Sequence, residues 1–171
     1  MKAAIALGMT FLMACASAPS AGVIPASGSQ KIADDALKVF VDSWNRAAGG
    51  DIKGSQSYGT LYWQDAELVD PSGNIWRTGP DIVQMHVDLW NTAFKGSTVT
   101  GVVRRTRQLS PTLMIADFDL ELKVVGPLPP SIPNTNGVVK AHLKHVMERR
   151  GAEWKALAAQ NTFYSGAPPA R

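Results

Sequence analysis

The chain predicts an α+β domain whose helices lie on one face of a mostly antiparallel sheet. Three observations carry this. Apolar residues recur at helical spacing through the first third of the folded part. After Phe94-Lys95-Gly96 the period switches from helical to alternating, and a run of strands follows. With 171 residues, 45% hydrophobic and 18% charged, the sequence has room for one core and needs no staple to hold it.

Met1 and Lys2 open a segment, 3–14, that is uncharged and mostly apolar. It reads as the n-region and h-region of an export signal and is too short to span a membrane. Leu12-Met13-Ala14-Cys15 resembles a bacterial lipobox, in which Cys15 becomes the lipidated first residue of the mature chain. The other reading is an ordinary signal cut after Ala18 or Ala21, with Cys15 discarded. Residues 16–30, rich in Ala, Ser, Gly and Pro, read as a flexible tether. The domains expected are therefore 1–30 as signal and tether, 31–164 as the folded unit and 165–171 as a frayed tail. The location expected is outside the cytoplasm: periplasmic or anchored to the membrane by lipid at Cys15, otherwise secreted. With one cysteine, disulfides have no part in the fold.

Residues 31–48 predict a helix, with Ile32, Ala36, Val39, Phe40, Ser43 and Trp44 on one face and Gly49-Gly50 ending it. A shorter helix is expected over 55–61. A strand over 65–70 closes in the turn Pro71-Ser72-Gly73, and a second covers 74–78. Gly79-Pro80-Asp81 opens a third helix, since proline suits a first turn and a carboxylate suits the positive end. Four longer strands follow at 98–109, 112–125, 138–149 and 154–163. The loop 126–137 carries Pro127, Pro129, Pro130 and Pro133, which cannot join a central ladder.

The order of these elements, with Trp63-Gln64-Asp65-Ala66-Glu67-Leu68-Val69-Asp70-Pro71-Ser72-Gly73 and then Trp76-Arg77-Thr78-Gly79-Pro80-Asp81-Ile82, resembles the nuclear transport factor 2-like superfamily. Trp76-Arg77-Thr78-Gly79, His86, Glu153-Trp154-Lys155 and Gln160-Asn161-Thr162 are similar to its SnoaL-like, SgcJ/EcaC-type branch. The likeness covers about residues 31–164. It implies a cone of curved sheet around helices, an apolar pocket at the wide end and, often, a homodimer through the sheet. The branch's oxidoreductase label finds no motif here: no Gly-rich dinucleotide fingerprint follows any strand, so no cofactor is expected.

Asp70 shares a strand face with Ala66 and Leu68 and sits at the strand's end. It matches the place of the general base in the related ketosteroid isomerases. Apolar surroundings would raise its pKa toward a proton-shuttling range. An aspartate before Pro-Ser-Gly also suits a turn opener that accepts backbone hydrogen bonds. His86 falls on the helical stripe of Ile82, Leu89 and Ala93, facing the sheet. It reads either as a ligand-orienting, proton-exchanging partner of Asp70 or as a buried imidazole satisfied by its neighbours.

The steroid isomerases' helical tyrosine is matched by Phe40, which cannot donate a hydrogen bond, so steroid-isomerase chemistry is not expected. Gln160-Asn161-Thr162 stands where the branch has His-Asn-Thr. Trp76, Asn161 and Phe40 are expected ligand-binding residues.

His142 and His145 lie three apart in a strand and so on opposite faces, a poor metal pair. Asp117, Asp119 and Glu121 alternate onto one face, where Arg104 would lie across from Asp117 in a cross-strand ion pair. These acids also balance Arg104, Arg105 and Arg107, so nucleic acid is not an expected partner. No nucleophile elbow occurs. Of five tryptophans, most should be core and one or two should line the pocket. The function expected is binding of a small, largely apolar molecule. The alternatives are proton-transfer or hydration chemistry by Asp70 and His86, and a dimeric interaction module.

Overall fold

The computed structural model describes residues 26–166. Helix α1 (Ala26–Ala48) begins earlier than the sequence pattern suggests, inside the stretch read as tether. Ser29 there is buried, and its hydroxyl donates to Gln108 Oε1 at 2.8 Å. Small residues look like linker in sequence, yet here they let the helix lie close to the sheet. Further along α1, Ala33, Phe40, Ser43, Trp44 and Ala47 form the buried stripe that the three- and four-residue spacing requires.

Gly50, at φ 92°, turns the chain out of α1. Asp51 then caps α2 (Ile52–Gly59), its Oδ1 accepting from Lys53 N at 2.9 Å. The two helices meet almost backbone to backbone. A Cβ on Gly54 would stand 2.4 Å from Ala47 N and 2.7 Å from Ser43 O, so only glycine fits the crossing. After β1 (Tyr62–Val69) and β2 (Ile75–Trp76), Thr78 caps α3 (Gly79–Asn91) by accepting from Asp81 N at 3.2 Å. The proline and aspartate that marked this start in the sequence occupy the first turn.

Strands β3 (Thr98–Ser110), β4 (Leu113–Lys123), β5 (Val138–Arg150) and β6 (Glu153–Tyr164) complete a six-stranded sheet in the order β2-β1-β6-β5-β4-β3. Neighbours are antiparallel except β1 and β6, which run parallel. Register shifts at Val103/Arg105, Val146/Met147 and Tyr62/Glu67 break the ladders locally. Such irregularities bend strands, and this sheet curves around the helices as an α+β cone. Asn45 ties α1 to its edge, donating to Val99 O at 3.1 Å and accepting from Val99 N at 2.7 Å.

The shift at Val103/Arg105 changes one expected pair. Arg105, not Arg104, stands opposite Asp117, and the Arg104 guanidinium lies 3.4 Å from Asp119. Asp117 instead takes Lys144, with His142 at 3.7 Å. Cross-strand ion pairing on the outer face is thus present, with the partners moved along by the bulge. His142 and His145 lie on opposite faces of β5, as their spacing requires: His142 meets Asp119 outside, and His145 is buried inside.

Candidate functional site

The cone is not filled. Between α1, α3 and the inner face of β4–β6 lies a cavity of about 320 Å³, within the usual range for small-molecule sites. Phe40 and Trp44 of α1, Met85 and Leu89 of α3, and Leu120 and Leu143 of the sheet stand on its wall. Pro129, Ser131 and Ile132 add a side from the Pro-rich loop. All five site residues nominated within the described chain, Phe40, Asp70, Trp76, His86 and Asn161, line this one cavity. Cys15 lies outside the described residues. Trp44 and Trp76 are the two tryptophans on the wall, while Trp90 is buried in the core.

Asp70 is held as a turn opener, the second of its two sequence readings. Its Oδ1 accepts from Ser72 N at 2.8 Å and Asn74 N at 3.0 Å. Its Oδ2 accepts from Asn74 Nδ2 at 2.8 Å and Trp76 Nε1 at 3.3 Å. A carboxylate offers about four lone-pair sites, and here all are occupied. Partial burial pushes the carboxyl up. The bonds from Asn74, Trp76 and Ser72 outweigh it and hold the pKa below the ordinary 3.8. The raised pKa expected of a general base is therefore replaced by a lowered one, because the turn that follows β1 supplies donors that the apolar face could not. Asp70→Ala is expected to destabilise the fold by about 2 kcal/mol through these lost charge-assisted bonds. Urea unfolding at neutral pH measures it, and an unchanged midpoint would show that the turn needs no carboxylate.

His86 is buried, and its ring closes a chain of hydrogen bonds. Nδ1 lies 2.8 Å from Ile82 O, an acceptor only, so Nδ1 carries the proton. Nε2 then accepts from Tyr58 Oη at 2.9 Å, and Tyr58 in turn accepts from Tyr62 Oη at 3.3 Å. Burial lowers the His86 pKa to about 4, against the opposing bond to Ile82 and the charge of Asp70, so the ring is neutral at physiological pH. Burial likewise lifts Tyr62 to about 12 and Tyr58 well above its ordinary 10.0. The ring thus lines the cavity with both nitrogens satisfied by its neighbours.

No protein-family profile matches the chain, and no curated protein matches it. Solved structures do. An uncharacterised protein with a cystatin-like fold from Caulobacter vibrioides superposes at a TM-score of 0.67 and 20% identity, over 80% of this chain and 90% of that one. An NTF-2-like protein of unknown function from Shewanella oneidensis gives 0.60 and 14%, over 77% and 97%. A ketosteroid isomerase-like protein from Erwinia carotovora atroseptica gives 0.62 and 10%, over 81% and 98%. The chain has the nuclear transport factor 2-like fold.

Within this nuclear transport factor 2-like cone, sequence reasoning missed Tyr58 and Tyr62. They are four apart, a helical spacing that runs past the end of α2 into β1, and both turn to the core. That spacing, continued across the boundary and joined to His86, was the available signal. His145, set opposite His142 by the strand period, is 2% exposed on the inner face of β5. Phe118 and Tyr62 stand edge-on to this ring at 5.3 and 5.7 Å. Among the described residues neither ring nitrogen has a hydrogen-bond partner, and burial alone lowers its pKa to about 4.

Proposed function

We propose that the chain is an exported, SnoaL-like, SgcJ/EcaC-type protein that binds a small, largely apolar molecule in the cone. The observation carrying this reading is the unfilled cavity of about 320 Å³ beside a carboxylate whose acceptor sites are all taken. An empty cavity costs stability, and a ligand that fills it offsets part of that cost. A base with no free lone pair has little to abstract a proton with. The export part of the reading rests on the uncharged segment 3–14 and on the lipobox-like residues ending at Cys15. A homodimer through the outer sheet face belongs to the same proposal. Val102, exposed on β3, is an apolar residue such a contact would cover.

A catalytic reading keeps one observation in its favour: Asp70 and His86 line the same cavity, and the charge of Asp70 acts on the His86 ring. In that reading Asp70 must shed a turn bond to act as base.

Native mass spectrometry of the protein taken from its own cell envelope tests the first reading. The expected spectrum shows a co-purifying small molecule, lipid on Cys15 and a dimer mass. Ala141 is buried on the cavity wall, and Ala141→Trp fills the space from β5. The variant should fold and lose the small molecule while keeping lipid and dimer. A bound molecule retained unchanged in Ala141→Trp would place binding elsewhere.

A further inference from the structure

The charged groups around the cavity are one-sided. Among the lining residues there is no lysine or arginine, and the one carboxylate is Asp70. The hydrogen atoms of the inner chain are already spent. His86 gives its Nδ1 proton to Ile82 O, Tyr58 gives its hydroxyl proton to His86, and Tyr62 gives its own to Tyr58. What remains toward a ligand is the lone-pair capacity of Tyr62 Oη. Asn161, on the same wall, keeps its Oδ1 buried with no partner. A buried acceptor without a donor is costly, and a donor entering the cavity would relieve it. The wall also carries the aromatic rings of Phe40, Trp44, Trp76, Phe94 and Phe163. Such faces attract positive charge through their quadrupoles.

We propose that the cavity selects an amphiphilic organic amine, an ammonium group on a flat apolar body. The proposal rests on the small-molecule reading given above and names its ligand class. The ammonium N–H groups are the donors that Asn161 Oδ1 and Tyr62 Oη lack. Asp70, with its oxygens already bonded, contributes its negative field rather than a direct bond. An anion meets that field with no lysine or arginine on the wall to offset it. A neutral alcohol satisfies one acceptor but gains nothing from Asp70 or from the aromatic faces. The apolar body accounts for the remaining burial, against Leu120, Leu143 and Met85.

Titration calorimetry on the purified full-length chain tests this with four probes that share a naphthalene body: 1-naphthylmethylamine, 1-naphthylmethanol, 1-methylnaphthalene and 1-naphthoate. The amine should bind tightest, by roughly tenfold over the alcohol. Methylnaphthalene should follow, and the carboxylate should be weakest. Asp70→Asn should weaken the amine by about tenfold and leave methylnaphthalene unchanged, since only the charge is removed. Where that variant is too unstable to assay, Asn161→Leu is read instead, with the same expected loss for amine and alcohol. The carboxylate binding as tightly as the amine, or the amine no tighter than the alcohol, overturns the amine proposal while the binding reading stands. Failure of all four to bind removes both.

Discussion

Acidification from pH 7 to pH 4 is expected to strip several kcal/mol from the stability of the fold, chiefly through two histidines. His86 and His145 are held by burial at pKa values of about 4, against 6.5 when exposed. Above pH 6.5 both rings are neutral whether the chain is folded or not, and they contribute no pH dependence. As pH falls from 6.5 to 4, the unfolded chain takes up a proton at each site and the folded chain does not. Stability is therefore lost through that window and levels off below it. Each fully buried ring contributes on the order of 3 kcal/mol to the loss. Urea unfolding at a series of pH values reads the slope. His145→Leu should remove about half of it. The same variant should raise stability at neutral pH, because it replaces a buried polar group that has no partner. A flat profile across the window would show that both rings are solvated or paired in the folded protein.

Gly54→Ala should destabilise the protein by on the order of 3 kcal/mol, and it is the second large effect. The added methyl would meet the backbone of α1 at Ala47 and Ser43, where no side chain can swing aside. Relief requires α1 and α2 to separate. Because α1 carries Phe40 and Trp44 on the cavity wall, ligand binding should weaken along with the melting temperature. Gly50→Ala is the comparison: nothing stands within 4 Å of its added methyl, so only the φ of 92° penalises it. Equal midpoints for the two variants would show that the helices tolerate the shift.

The fold was legible because its signals are local. Gly49-Gly50, Gly79-Pro80-Asp81 and the alternating strands after Gly96 each mark an element by backbone chemistry within a few residues, and each stands where that chemistry placed it. The start of α1 was not legible, since Ala26 to Gln30 show no apolar stripe and the helix is fixed there by contact with β3. Membership of the site was readable for Asp70 and His86, because strand and helix periods say which way a side chain points. What those groups do was not. Whether Asp70 is a free base or a turn anchor depends on Ser72, Asn74 and Trp76 folding back around it. Whether His86 is available depends on Tyr58, which comes from another helix 28 positions away. The acid partners of β3 were displaced for a similar reason: a bulge at Arg104 is decided by sheet curvature rather than by residue count.

The parallel seam between β1 and β6 sets a timetable for the newly made chain. β1 leaves the ribosome early but gains its long partner only when the last strand, ending at Tyr164, has emerged. Until then it has the two-residue β2 beside it, and Ala66 and Leu68 remain wet. Closure of the cone is accordingly a late, non-local event, and pairings of that kind form slowly. The inner face of the cone, and with it the cavity, therefore stays open to water until β6 has been made.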